Sequence, residues 1–275
     1  MPSLIRGPRR HHLPARVLAV SALTTLLAGC GLPALTATSP GAQPHASTTV
    51  GGSDPGSATS SSGTPGPSGT GGTTRTSTAL TTPAQARAAL AQLERLPVKG
   101  RAPKTGYARD RFGTSWTDDV DVPGGHNGCD TRNDVLRRDL TAQRLKSGTH
   151  GCVVLSGRLA DPYTGRVIAF ERGASTSSKV QIDHVVALGD AWVKGAQQLT
   201  PAQRTALAND PLNLLAVDGP TNSAKRDSDA ASWLPPNRAF RCTYVARQVA
   251  VKTRYHLWVT AAEKSQMARQ LGACR

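Results

Sequence analysis

Gln181-Ile182-Asp183-His184-Val185-Val186-Ala187-Leu188 is the stretch on which the reading of this chain turns. A short β-type run through Val180 and Ile182 ends there in an Asp-His pair. Two downstream segments belong with it. In Asp210-Pro211-Leu212-Asn213-Leu214-Leu215-Ala216-Val217 an Asn sits inside an apolar run. Pro220-Thr221-Asn222-Ser223-Ala224-Lys225-Arg226-Asp227 then brings an Asn-x-x-Lys. Taken singly, each residue has a bland explanation: a strand-end histidine packs, and an asparagine closes a turn. Their order along the chain is the signal.

Working outward, Val167-Ile168-Ala169-Phe170 reads as a strand with Lys179–Asp183 as its partner, and Cys152–Gly157 as a further strand. Asp161-Pro162-Tyr163-Thr164-Gly165 is a turn. A helix with an apolar stripe at Val135, Leu136 and Leu140 is expected over 128–140, and another opens at Thr82-Pro83, where Thr caps and Pro takes the first position. Downstream, helices are expected over 190–196, from Thr200-Pro201 up to Asn209-Asp210-Pro211, over 227–233, and from Thr260 to Leu271. The longest periodic stretch is 238–258, with Phe240, Tyr244, Val245, Val249 and Leu257 as core positions. Residues 101–130 are loop-rich, with Tyr107, Phe112 and Trp116 as core anchors. The acidic cluster Asp118, Asp119 and Asp121 lacks EF-hand spacing, which favours a solvated loop over a Ca²⁺ site. The expected fold class is α+β: a mostly helical domain at 79–275, its motif core at 166–230, behind a disordered N-terminal third.

That first third has an address rather than a core. Residues 1–29 carry Arg6, Arg9, Arg10 and Arg16 and no acid, then an apolar run too short to span a membrane. It ends in Leu27-Ala28-Gly29-Cys30, a lipobox-like junction that marks Cys30 for lipidation; the alternative is an ordinary cleaved signal with Cys30 incidental. Arg9-Arg10 leaves the export route open. Residues 30–78 are rich in Ser, Thr, Gly and Pro and have too little apolar surface to offset chain entropy, so a disordered tether is expected. The destination is extracytoplasmic, anchored to the membrane through the lipid or released.

The chain holds 33 Lys and Arg against 18 Asp and Glu, a formal charge of +15. Removing the four arginines of residues 1–29 leaves 29 against 18, or +11. A basic exported domain suits polyanions, whether nucleic acid, teichoic acid or anionic lipid. Cys129, Cys152, Cys242 and Cys274 remain after Cys30, and an even number outside the cytosol implies two disulfides. Three pairings exist; Cys129–Cys152 with Cys242–Cys274 is the sequence-local one and is favoured. No CxxC occurs to hold structural zinc, and no Gly-x-Ser-x-Gly elbow supports a serine hydrolase.

The ordered set Asp183-His184, Asn213, Asn222 and Lys225 resembles the HNH, or ββα-metal, endonucleases. Within them it is most similar to secreted actinobacterial proteins related to the GmrSD C-terminal (DUF1524-like) domain, a resemblance that extends over most of 105–275. Cys129-Asp130-Thr131-Arg132-Asn133 also recurs in that family. The resemblance implies a metal-dependent phosphodiester endonuclease with His184 as general base and Asn213 bracing the loop that presents it. Asp183 and Asn222 would hold a divalent cation, Mg²⁺ first and Mn²⁺ second, since both offer hard oxygens. Lys225, one helical turn from Asn222, would neutralise the scissile phosphate, with Asp227 assisting. Asn222 stands where the third letter is often His, a departure that argues against Ni²⁺ or Zn²⁺. Arg132 would reach a phosphate or else pair with a carboxylate. The implied substrate is nucleic acid, DNA ahead of RNA, cut by a monomer with weak sequence preference because few aromatics flank the motif. The rival reading is a non-catalytic basic lipoprotein that grips cell-wall or other polyanions.

Overall fold

A computed structural model describes residues 80–274. The signal segment 1–29, Cys30 and the linker up to residue 78 lie outside the described residues. The chain order is α1 (Pro83–Arg95), α2 (Thr131–Asp139), β1 (Leu140–Leu145), β2 (Val154–Ala160), β3 (Val167–Glu171), β4 (Val180–His184), α3 (Leu188–Trp192), α4 (Pro201–Asn209), β5 (Leu214–Asp218), α5 (Gly219–Lys225), α6 (Arg241–Arg254) and α7 (Ala261–Gly272). This is the expected α+β class, mostly helical. Thr82, Thr200 and Thr260 each cap a helix and exchange hydrogen bonds with the Gln or Glu three residues on.

Two antiparallel sheets form, β1-β2-β3 and β4-β5. The pairing of Val167–Phe170 with Lys179–Asp183 expected from the sequence does not occur. Instead β3 pairs back onto β2 across the Asp161–Gly165 turn, Leu159 facing Ile168 and Ala160 facing Val167. A 3₁₀ turn at Ser177–Lys179 then redirects the chain, and β4 pairs with β5, Asp183 opposite Leu215 and His184 opposite Leu214. Leu214–Val217 did not read as a strand because it has no alternation: all four residues are buried, with Leu215 and Val217 facing the α1–α6–α7 core and Leu214 and Ala216 facing the α2–β1–β3 core. A strand covered on both faces is a continuous apolar run.

Among the described residues the outer edge of β5 has no third strand, and side chains satisfy it instead. Asp139 accepts from the Ala216 N–H at 2.9 Å and Asp161 from the Asp218 N–H at 2.9 Å. Arg138 and Arg247 both donate to the Leu214 carbonyl, at 2.7 and 3.0 Å. Buried backbone polar groups need partners, and here carboxylates and guanidiniums replace a ladder.

The helix expected over 227–233 is also absent. Arg226, at φ 52°, ends α5, and the Asp229 carboxylate takes the N–H groups of Ala231 and Ser232 in a turn that competes with helix. The helix lies one segment earlier, capped by Asp218 and opened by Pro220. Cys129 is bonded to Cys152 and Cys242 to Cys274, the sequence-local pairing. A buried ionic cluster ties the C-terminal helices: Lys194 Nζ lies 2.8 Å from Asp190, 2.6 Å from Asp229 and 2.7 Å from Glu263, and Lys252 lies 3.0 Å from Glu263.

Candidate active site

β4, β5 and α5 make a ββα unit, and the residues singled out in the sequence sit around it. Asp183 and His184 are neighbours on a strand, so their side chains leave on opposite faces. Both nevertheless border one cleft, whose other walls include Arg109, Asn222, Ser223, Arg226 and Asp227.

His184 is buried. Its Nε2 lies 2.9 Å from the Ala208 carbonyl at the end of α4, and its ring stacks on Trp116 at 5.8 Å with the planes 14° apart. A carbonyl only accepts, so the neutral ring carries its proton on Nε2 and leaves Nδ1 with a free lone pair. Burial is the main force that pulls the imidazole down to about 3, and the positive charges of Arg109 and Lys225 add to it. The ring is therefore a neutral acceptor at pH 7.

Asn213 braces the loop that follows His184. Its side-chain oxygen accepts from the Val186 N–H at 2.8 Å, its amide nitrogen donates to the Leu207 carbonyl at 3.1 Å, and its own carbonyl accepts from the Val185 N–H at 2.8 Å. The loop entering Asn213 is gripped in turn: Arg138 donates to the Pro211 carbonyl at 2.9 Å and Arg247 to the Leu212 carbonyl at 2.6 Å. Arg247 is buried enough for desolvation to lower it to about 10. Two guanidiniums holding three carbonyls fix the point from which the 185–186 segment hangs.

Behind the strand lies a second buried set. Asp183 Oδ1 accepts from Lys225 Nζ at 3.0 Å, and Oδ2 accepts a short hydrogen bond from the Tyr163 hydroxyl. Lys225 Nζ also donates to the His184 carbonyl at 2.8 Å. Burial pushes the Asp183 carboxyl up, opposed first by Lys225 and then by Tyr163. Lys225 is fully buried, so its ammonium is engaged beneath the cleft and does not meet a phosphate as the sequence suggested. Arg132 is likewise spent elsewhere, donating to the Val180 carbonyl at 3.3 Å and so holding the start of β4. Asp227 pairs with Lys104 at 2.7 Å at the rim. The acidic loop is structural: Asp118 accepts from the N–H groups of Asn127 and Gly128 at 3.0 and 2.8 Å.

The exposed cations at the cleft are Arg109 and Arg226, which the sequence reading passed over. Arg226 had a signal, since it directly follows Asn-x-x-Lys. Arg109 had none, lying far upstream at the start of a short 3₁₀ helix, Arg109–Phe112.

Among the described residues no three His, Cys, Asp or Glu side chains gather as a metal cage. Of the two carboxylates bordering the cleft, Asp227 pairs with Lys104 at the rim and Asp183 with Lys225 beneath it; the one amide, Asn222, donates through its nitrogen to Gln181 at 2.9 Å and leaves its oxygen for a ligand. One carboxylate and one amide oxygen fit a hard cation that keeps waters and substrate oxygens in its shell, as Mg²⁺ does, and fit zinc poorly.

Fold and cleft together define an α+β domain built on a ββα unit, with a neutral histidine and a lysine-paired carboxylate at the end of its first strand. The chain belongs to the family described as GmrSD restriction endonucleases, C-terminal domain, whose model matches residues 130–270. An uncharacterized secreted protein of Arthroderma benhamiae is 39% identical over 184 residues, 66% of this chain and 82% of that protein. No solved structure matches the chain.

Proposed function

We propose that this protein is an exported nuclease that hydrolyses phosphodiester bonds of nucleic acid, DNA in preference to RNA, at the Asp183–His184 cleft. The observation that carries the reading is the His184 ring: neutral, fixed by the Ala208 carbonyl and the Trp116 face, its Nδ1 without a hydrogen-bond partner among the described residues, and lining a cleft that the exposed Arg109 and Arg226 border. Nδ1 takes a proton from a water molecule, the resulting hydroxide attacks phosphorus, the bond from phosphorus to the leaving oxygen breaks, and that oxygen takes a proton from solvent water while His184 returns its own to solvent. Arg226 and Arg109 offset phosphate charge at the rim. A divalent cation, Mg²⁺ first and Mn²⁺ second, held by Asp183 and Asn222, would neutralise charge developing on the phosphate oxygens. Asp183 would then share its oxygens with Lys225, whose charge opposes the upward push of burial on the carboxyl.

The family supports the endonuclease class, and the HNH subtype is part of the proposal. Incubated with supercoiled plasmid, the purified protein should nick and linearise it with Mg²⁺, and excess chelator should stop the reaction. Binding to DNA without cleavage, under Mg²⁺ and Mn²⁺ alike, would favour the rival reading of a basic polyanion-binding protein.

We also propose that export ends at the membrane through a lipid on Cys30, as the Leu27-Ala28-Gly29-Cys30 junction suggests; the secreted relative is consistent with export. Cys30→Ala should release the protein to the medium or leave the precursor unprocessed. Mature, membrane-bound Cys30→Ala protein would contradict the anchor.

A further inference from the structure

The segment from Arg109 to Trp116 lies outside the residues matched by the family model, 130–270, yet it borders His184 on two sides. Arg109 lines both the cleft shared with Asp183 and Asn222 and a second cavity closed by Gly113, Trp116, His184 and Asn209. The Arg109 side chain is exposed and makes no hydrogen bond or ion pair with the described residues, so its guanidinium is available to a ligand. Trp116 is half-buried against the His184 ring.

Trp116 also adopts φ 60°, the left-handed region, where a bulky side chain is strained. Such a residue persists only where its surroundings hold it, and strain of this kind gathers at functional sites. The surroundings are visible. The Thr131 N–H donates to the Trp116 carbonyl at 3.2 Å, and the Thr131 hydroxyl to the Thr117 carbonyl at 2.9 Å. Thr131 opens α2, two residues from the Cys129–Cys152 bridge. At the other end, Arg204 of α4 donates to the Arg111 carbonyl at 2.8 Å, and Gly113 (φ 81°) passes so near Thr205 that a Cβ would fall 2.4 Å from its hydroxyl oxygen. α4 also supplies the Ala208 carbonyl that fixes the other edge of His184. The loop is thus clamped at both ends with its aromatic face against the histidine.

We propose that the Arg109–Trp116 loop forms the substrate-side wall of the His184 site, Arg109 contacting a nucleic-acid phosphate and Trp116 positioning the His184 ring. This rests on the nuclease reading of the cleft, and the test separates the two. Binding of a short DNA duplex is measured in chelator, where no cleavage occurs, over a range of salt. Arg109→Ala should weaken binding and lower the slope of log affinity against log salt by about 1, the loss of one phosphate contact. Arg109→Lys should keep the slope. In cleavage with Mg²⁺, Trp116→Ala should lower kcat about tenfold or more with KM unchanged, the scale on which misplacement of a catalytic group is felt. Trp116→Phe, which keeps a flat ring, should restore most of it. Should Trp116→Ala fail to fold, Trp116→Leu keeps the bulk and lacks the face.

An Arg109→Ala slope equal to the parent's overturns the phosphate contact. Unchanged kcat in folded Trp116→Ala or Trp116→Leu overturns the positioning role. A parent that binds the duplex but never cuts sinks the nuclease reading and the Trp116 role with it, while the Arg109 contact still stands or falls on its slope.

Discussion

Lys225→Met should destabilise the folded protein by about 3–5 kcal/mol, the usual cost of removing one partner of a buried ion pair. The size follows from what the ammonium does. It is fully buried, donates to Asp183 Oδ1 at 3.0 Å and to the His184 carbonyl at 2.8 Å, and without it a buried carboxylate keeps, among the described residues, only the Tyr163 hydroxyl as a side-chain partner. Methionine fills nearly the same volume, so a cavity contributes little. For a domain of this size the melting temperature should fall on the order of 10 °C. The deficit has a defined pH sign. Burial already holds the Asp183 carboxyl above its ordinary value, and loss of Lys225 raises it further. A raised folded-state value is penalised at high pH and relieved as pH falls, so the variant should recover stability relative to the parent on acidification. Asp183→Asn combined with Lys225→Met should be less destabilised than Lys225→Met alone. A shift of under about 1 kcal/mol, with no pH trend, would mean that Lys225 is solvated and free to meet a phosphate after all.

That revision of Lys225 shows where the sequence was readable. Helix starts were legible because they rest on local chemistry: Thr-Pro and Thr-x-x-Glu say where N–H groups are capped, and α1, α4 and α7 begin where those signals stand. The cluster around His184 was legible as an ordered set, and Asn213 turned out to brace the loop after His184. Strand pairing was not legible. The partner of β4 is set by which strand meets it in space, and β5 hid as an apolar run buried on both faces. The direction in which Lys225 points was hidden too, since helical spacing from Asn222 is equally compatible with solvent and with the underside of β4. Arg109 and Trp116 reach the cleft across a long sequence separation, by contacts to α2 and α4 that no local pattern announces. The carboxylates and guanidiniums that replace a strand along β5 belong to the same class of long-range fact.

His184→Ala should lower the rate of plasmid cleavage by ~10²-fold or more, the ordinary contribution of a general base. The reason is positional. His184 offers a neutral nitrogen at the cleft, its other nitrogen is committed to the Ala208 carbonyl, and the described neighbours Arg109 and Arg226 have no basic lone pair to take its place at pH 7. Alanine removes the ring that Trp116 stacks on as well as the base, so His184→Gln is the cleaner companion: its amide keeps an N–H for Ala208 and has no basic nitrogen. Asp183→Asn should fail in a different way, with part of its loss recovered by raising Mg²⁺ or Mn²⁺. The decisive measurement is the initial rate of nicking of one supercoiled plasmid by the parent and by folded His184→Gln at equal Mg²⁺, each first shown to melt cooperatively. The expected result is rapid nicking by the parent and a variant slower by about two orders of magnitude or more. Equal rates would show that His184 is only a packed strand-end residue, and that whatever cuts DNA in this protein is somewhere other than the Asp183–His184 cleft.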